Sequence, residues 1–525
     1  MTTVRFTKQD VTCFSAASRD RNPLHISEAY ARTTPYAEPV VFGMLGVLAG
    51  LGHLSSRDDH HLQQLSVEFR NPLSLDAPYR LDITESSTDK ARVKLYDATR
   101  LMMTATFTFR PGQGHRESSV YPRVDCPAQP ADRTSTTLSP GTRVTGTYAP
   151  QTEEFAQVVE RWQLSGKGAT LHQISAMMWA SFVVGMHLPG QRAVFWRLTV
   201  DFHDASVQEK DPFAYEAAVE DLDERFDLLR SAGTLSSGSF PYATARMWAF
   251  VRQDSPRPSL RRLTGLLPES EQLKGKVALV IGGSRGLGAA IAMAFASQGC
   301  SVLLNYHRST PEADLIRASV GDRSGLIELV QGDAADVQWC LSVRETILKH
   351  YGGLDFLVCN ASPPIRPLAF EPEKVAQFQD FLSRSLELVS APMAAFLSIL
   401  SGKAGWNIAL SSSFVRELPV EFPHYVTAKS AIEGLVTWSA AHHPKVRHLL
   451  VRPPKLLTDQ TNTTVGRQGA MDVEQVAALI LRTLSGTGQS QALQILEVSS
   501  PALGGNPRVS ASSTGDHESQ PNRML

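Results

Sequence analysis

KVALVIGGSRGLGAAIAMAFASQGCSVLLNY, residues 276–306, joins an apolar run, a glycine-rich turn, an alanine-rich helix and a second apolar run. Continuous apolar runs are the mark of strands buried on both faces. Alternating with helices, they build a doubly wound parallel sheet, an α/β Rossmann-type fold. The runs LDFLVCN (354–360), WNIALSSS (406–413) and HLLVRPP (448–454) continue the pattern, so a third folded block is expected over 273–500.

The turn carries Gly282, Ser284, Arg285, Gly286, Leu287 and Gly288 directly after a strand and before a helix. Glycines let a backbone approach a diphosphate, and amides at a helix N-terminus offset its charge. Downstream, Tyr425 and Lys429 stand four residues apart in HYVTAKSA and share one face of a helix. An ammonium beside a phenol favours the phenolate, so a lowered phenol pKa and proton exchange with a carbonyl oxygen are expected. Ser412, thirteen residues before Tyr425, can hydrogen-bond the same oxygen.

With these residues in place, 273–500 resembles the short-chain dehydrogenase/reductase family. The family's TGxxxGxG appears as IGGSRGLG, with Ile281 in place of Thr. The resemblance implies Ser412, Tyr425 and Lys429 as catalytic residues. It implies Asp333 of VQGDAAD beside the adenine, and Asn360 of the NAS triplet and Lys429 as further cofactor contacts. The family's relay asparagine has no counterpart, because no Asn lies between Asn360 and Asn407, so water or Ser385 is expected in its place. NAD-selective members carry an acid at the end of the second strand. This chain has Asn305 there, then His307 and Arg308, with Arg285 in the loop, so NADPH is the expected cofactor.

The two preceding blocks resemble each other. Leu65, Val67 and Phe69 recur as Leu198, Val200 and Phe202, an offset of 133 residues, each triplet following a small-residue-rich apolar helix. Period-2 segments follow in both blocks, which suggests an α+β unit, given twice, in which a sheet wraps a helix. Ahead of the first helix stands SRDRNPLH, residues 18–25, where Asn-Pro marks a turn. Residues 1–112 resemble the MaoC-like (R)-specific hydratase/dehydratase family, of hotdog fold. Its signature SGDxNPxH is met except for Arg19 in place of Gly. The resemblance implies Asp20 and His25 as the acid–base pair for loss of water from a 3-hydroxyacyl thioester. It implies Asn22 and the backbone N–H of Gly43 at the substrate, Gly43 serving the thioester oxygen, with Phe42 where the family has His. Residues 146–252 lack the signature and are expected to be a non-catalytic hotdog repeat in a double hotdog, with His172 and His187 as core or surface histidines.

Composition narrows the rest. The 525 residues imply several domains. The 51 basic against 52 acidic residues leave no field to attract nucleic acid or an anionic membrane. Cys13, Cys126, Cys300, Cys340 and Cys359 form no CxxC or metal spacing, so no disulfide or metal is expected. The first ten residues, MTTVRFTKQD, lack an apolar signal core and no 18-residue apolar run exists, so a cytoplasmic protein is expected. Pro/Gly/Ser-rich stretches place linkers at 113–145 and 253–272 and a disordered tail at 501–525.

The expected function is a fused NADPH-dependent 3-oxoacyl-thioester reductase and (3R)-hydroxyacyl dehydratase of fatty-acid-like or polyketide biosynthesis. Its acyl group is carried on an acyl carrier protein or CoA, and the chain associates with itself through the reductase. Two alternatives are an enoyl-CoA hydratase with a 3-hydroxyacyl-CoA dehydrogenase running oxidatively, and an acyl-binding scaffold with an impaired reductase.

Overall fold

The computed structural model describes residues 2–112, 121–203, 211–486, 492–499 and 508–510. The chain forms two compact units, not three: Met1–Ser255 with Asn462–Val465, and Pro256–Thr461 with Gly466–Leu525. The two blocks expected at 1–112 and 146–252 share one core and one sheet.

In the first half of this unit, β1 (Thr2–Arg5), β3 (His60–Phe69), β5 (Pro78–Ser87), β6 (Lys90–Asp97) and β7 (Arg100–Pro111) belong to that sheet. A short ladder of β2 (Val40–Val41) and β4 (Leu73–Ser74) stands apart from it. The second half supplies β8 (Arg143–Tyr148), β9 (Ala193–Phe202), β10 (Phe213–Asp223), β11 (Leu228–Ser237) and β12 (Phe240–Val251). The order is β1-β5-β6-β7-β3-β9-β12-β11-β10-β8, a palindrome of the two halves. At its centre Leu65 lies opposite Val200, Ser66 opposite Thr199 and Val67 opposite Leu198. Ser66 therefore faces its own repeat-equivalent, Leu65 and Val67 face each other's, and a pseudo-twofold axis passes through the Ser66–Thr199 pair.

Alternation decides which face is buried. Leu65 and Val67 point into the core while Ser66 and Glu68 do not. A bulge between Leu62 and Gln64 resets the alternation, so Leu62 joins the same face. The helices Gly43–Gly52 and Leu171–Phe182 pack into this core. Glycine weakens a helix interior, yet GMLGVLAGLG has four. Close approach accounts for three of them, including Gly43, where a Cβ would lie 2.7 Å from the Phe69 ring. A Cβ at Gly52 would lie 1.8 Å from the Trp162 carbonyl oxygen, and one at Gly50 would lie 2.8 Å from Val93.

The expected linkers are not free chain. Tyr121 and Leu138 are buried in the core of the first unit, and β8 begins at Arg143, inside the stretch assigned to a linker. Residues 253–272 contain the helix Leu260–Leu266, whose Leu263 is fully buried in the second unit. Apolar residues inside a polar, Pro-rich stretch anchor it, which composition averages away. The tail expected at 501–525 lies outside the described residues, except that β20 (Arg508–Ser510) pairs antiparallel with β19 (Leu493–Glu497).

In the second unit, β13 (Val277–Ile281), β14 (Ser301–Tyr306), β15 (Ile327–Gln331), β16 (Phe356–Cys359), β17 (Trp406–Leu410) and β18 (Arg447–Arg452) run parallel with β19. The order β15-β14-β13-β16-β17-β18-β19-β20 is that of a doubly wound sheet, reversing beside β13. Among the described residues only β20 is antiparallel in this sheet. The helix Val375–Lys403 is long and apolar enough to cross a membrane, but its Leu388, Val389, Phe396 and Leu400 pack in the core with Leu279 and Leu357 of the sheet.

Two candidate active sites

In the second unit, β13 ends in a loop that needs glycine. Gly282 has φ +72° and Gly286 φ +53°, left-handed values that side chains disfavour. The helix Gly286–Ser297 follows with no side-chain cap, so its first-turn amides stay open to a ligand, while Ser284 and Leu287 are buried. Gly288 seals the helix to the loop, since a Cβ there would lie 2.2 Å from the Gly282 carbonyl oxygen. Asn360 Nδ2 donates to that carbonyl at 2.9 Å.

Three sequence expectations about the cofactor need correction. Asn305 is 3% exposed and turns inward: its Oδ1 accepts from Gly282 N, and its Nδ2 donates to the Val330 and Gly332 carbonyls. It braces the glycine loop instead of facing a ribose. Arg285 is not presented to a phosphate alone, because its Nη1 donates to Asp459 Oδ2 at 2.8 Å. Asp333 accepts two 2.7 Å hydrogen bonds from Arg384 Nη2, and a third from Ala335 N. That guanidinium helps hold its carboxyl below the ordinary carboxylate range against the opposing pull of burial.

Tyr425 and Lys429 lie on the helix Pro423–His442, and Ser412 follows β17. Ser412 hydrogen-bonds the Tyr425 hydroxyl, and Ser412 Oγ accepts from Phe414 N at 3.2 Å. Lys429 Nζ donates to the Leu410 carbonyl at 2.7 Å and sits 5.6 Å from the centre of the Tyr425 ring. The three catalytic candidates are thus together, but the phenol is not lowered. Burial pushes Tyr425 up to about 12, and burial brings Lys429 down to about 8. Desolvation outweighs an ammonium that is spent on a carbonyl. Ser385, expected to replace the missing relay asparagine, donates to the Phe381 carbonyl of its own helix at 2.7 Å.

In the first unit, the helix Lys8–Ser18 stops at Arg19, which has φ 61°. A left-handed residue explains why a glycine suits this position. Arg19 Nε instead donates to the Ala149 carbonyl at 2.7 Å. The chain then turns through Asp20 and Asn22 into the short helix Pro23–Ile26. Asn22 is engaged at both ends of its amide: its Oδ1 accepts from Leu24 N as the helix cap, and its Nδ2 donates to the Gly190 carbonyl. It therefore positions the loop, and it also lines the cavity in which its contact with substrate is expected.

Asp20 is 2% exposed. Its Oδ1 accepts from Asn22 N at 3.1 Å and its Oδ2 from Ser181 Oγ at 2.8 Å. Burial raises its pKa to about 7 despite these two bonds. His25 contacts the Val40 carbonyl at 2.7 Å through Nδ1. A carbonyl only accepts, so Nδ1 carries the hydrogen and Nε2 keeps a lone pair. Burial lowers this imidazole to about 4, and its ring stacks on Phe42 at 3.8 Å.

Asp20, His25, Asn22, Phe42 and Gly43 all line one cavity of about 130 Å³. Gly43 opens the helix Gly43–Gly52, whose N-terminus has no side-chain cap. The second half of the unit supplies part of the wall, through Ser181, Val184, Gly185 and Phe195. A Cβ at Gly185 would lie 2.1 Å from Asp20 Oδ1. Ser181 and Gly185 escaped the sequence reading because nothing local marks them; only the fold brings them to Asp20. His172 is buried among Tyr121, Phe213 and Tyr242, and His187 Nε2 hydrogen-bonds Tyr215 at 3.0 Å.

The second unit is an oxidoreductase built for a nicotinamide cofactor, with a Ser-Tyr-Lys set beside a glycine loop at the switch point of its sheet. Residues 276–468 match the short chain dehydrogenase family model, and through them the chain belongs to that family. An uncharacterized oxidoreductase of Methylorubrum extorquens is 30% identical over 222 residues, 42% of this chain and 87% of that protein. The L-rhamnose 1-dehydrogenase (NADP(+)) of Thermoplasma acidophilum is 28% identical over 228 residues, covering 41% and 83%. A hydroxynaphthalene reductase of Aspergillus fumigatus is 31% identical over 171 residues, covering 32% and 61%.

Proposed function

We propose that the chain is bifunctional: an NADPH-dependent 3-oxoacyl-thioester reductase in the second unit and a (3R)-hydroxyacyl-thioester dehydratase, a MaoC-like double hotdog, in the first. The product of the first reaction is the substrate of the second. The residues present fit a dinucleotide. The first turn of the helix Gly286–Ser297 has no side-chain cap, and a Cβ at Gly286 would meet only Thr458 at 3.4 Å or beyond. Gly282, Ser284, Gly286, Leu287, Gly288, Asn360 and Lys429 would hold it, and NADPH when bound supplies the hydride.

The chain's own part in reduction is proton delivery. Tyr425 keeps its proton up to about 12, is oriented by Ser412, and passes that proton to the ketone oxygen as charge develops there. Lys429, fixed on the Leu410 carbonyl, holds a positive charge beside the ring.

Dehydration follows from the unlike environments of two groups. His25 Nε2, neutral above about 4, takes the C2 proton, and the C3–O bond breaks. Asp20, protonated below about 7, gives its proton to the departing hydroxyl, which leaves as water. The Gly43 N–H meets the negative charge that grows on the thioester oxygen. The carrying observation is this single cavity with a base and an acid pushed to opposite protonation states.

A 3-oxoacyl-CoA and NADPH supplied to the full chain should yield enoyl product, and His25→Ala should halt at the 3-hydroxyacyl thioester. Enoyl product at the parent's rate from a His25→Ala chain that melts like the parent would remove the dehydratase assignment. A second reading, hydration followed by oxidation with NAD, is supported by one observation: Asp459 engages the cation that would take a 2′-phosphate.

A further inference from the structure

On the outer face of the ten-stranded sheet lies a groove of about 480 Å³ with its own chemistry. One cross-strand row runs Lys94, Thr104, Glu68, Arg197, Trp248. The next runs Arg92, Thr106, Ser66, Thr199. With strands ~4.8 Å apart, the first row spans roughly 19 Å. Its floor is hydroxyl-bearing, one bank carries Arg92 and Lys94, and the other carries Arg197 and the Trp248 indole. Arg197 packs over Trp196 and Trp248.

Among the described residues Arg92, Lys94 and Arg197 enter no ion pair, and the one acid of the groove, Glu68, is held by Arg70 at 3.1 Å. Arg70 lines both this groove and the cavity of Asp20 and His25, so the two spaces adjoin at this residue.

We propose that this groove binds the phosphorylated adenosine end of a coenzyme A thioester, while the acyl end enters the adjoining cavity. The proposal rests on the dehydratase reading of that cavity. Cations without carboxylate partners and a floor of hydroxyls suit phosphate oxygens, and the indole offers a face for the adenine. A concave, hydroxyl-floored groove suits a nucleotide better than the convex acidic helix of a carrier protein, which needs a projecting basic rim.

The test uses the full chain without NADPH, whose own phosphorylated adenosine would compete for the groove, and dependence on Arg92 and Lys94 separates binding there from binding in the dinucleotide site. Adenosine 3′,5′-bisphosphate should bind by calorimetry, and the double variant Arg92→Ala, Lys94→Ala should weaken it by about tenfold or more, a loss ordinary for two charged contacts. The same variant should raise KM for 3-hydroxyacyl-CoA by a similar factor, with kcat within about twofold and turnover of the N-acetylcysteamine thioester, which lacks the nucleotide, within about twofold. No bisphosphate binding by the parent, or equal losses on both thioesters, overturns the proposal. So does an acyl carrier protein whose binding depends on these lysine and arginine residues when the bisphosphate's does not. If neither thioester loses water yet bisphosphate binding still depends on Arg92 and Lys94, the dehydratase reading fails and the nucleotide groove stands.

Discussion

Asp20 accepts a 2.8 Å hydrogen bond from Ser181, 161 residues away along the chain, so the carboxyl of one half of the repeat is held by a hydroxyl of the other. That bond favours the carboxylate and opposes the burial that raises its pKa. Ser181→Ala should therefore push Asp20 higher still. The alkaline limb of the dehydration rate should move up by roughly 0.5–1 pH unit, as expected for one lost hydrogen bond to a charged group. An alkaline limb that stays in place shows that Asp20 is not the group titrating there.

The pH profile of the parent enzyme is a second check. Dehydration needs His25 without its second proton and Asp20 with its proton. The rate should rise through about 4 and fall through about 7, a bell with its top in mildly acidic solution. A rate that climbs through 7 and stays high would show that Asp20 is not the group that protonates the departing hydroxyl.

Stability should respond to the same carboxyl. Folded Asp20 keeps its proton to about 7, against 3.8 for the ordinary group, so the folded state binds more protons in between. Stability then falls as pH rises through this window and stays low above it. Asp20→Asn keeps an acceptor for Ser181 and cannot ionise. It should raise Tm at pH 8 by several degrees and by clearly less at pH 5, with the His25 contribution common to both chains. Equal shifts at the two pH values would contradict an ionised, buried Asp20.

In the second unit, Tyr425→Phe removes only the proton that meets the ketone oxygen. Ketone reduction should fall by about 10²-fold or more while NADPH still quenches protein fluorescence with nearly parental affinity. Reduction near the parental rate would place the proton donor elsewhere.

The Arg285–Asp459 pair sets up a test of cofactor choice. Asp459→Asn removes the carboxylate charge beside the guanidinium, so Kd for NADPH should drop severalfold with little change for NADH, and Arg285→Ala should weaken NADPH by roughly tenfold or more. Parallel changes for the two cofactors would show that Arg285 does not meet the 2′-phosphate.

The sequence revealed most where chemistry is local. The glycine loop, the four-residue spacing of Tyr425 and Lys429, and the Asp20–His25 turn are contiguous patterns, and the structure brings each set together. It revealed least where function depends on chain crossing. Asn305 reads as a ribose contact until its amide is seen bracing Gly282. Arg285 reads as a free cation until Asp459 arrives from 174 residues away. The strands β15 and β19 went unread: IELVQ and LQILE are short and carry polar residues among the apolar ones, lacking the continuous run that marks central strands. The phenol expectation failed for an energetic reason, since proximity to Lys429 could be read from spacing but desolvation could not.

The palindromic sheet has a consequence for how the chain is made. β3 is complete by residue 69 and its inner neighbour β7 by residue 111, but the partner for its other edge, β9, ends only at residue 202. At ~5–20 residues per second of synthesis, that edge waits several seconds or longer on the ribosome. A waiting edge can pair with the same edge of another nascent copy, because the register around Ser66 and Thr199 is self-complementary. Chains interrupted before residue 202 are therefore the ones that should associate with each other, and the second half of the repeat acts as the built-in chaperone of the first.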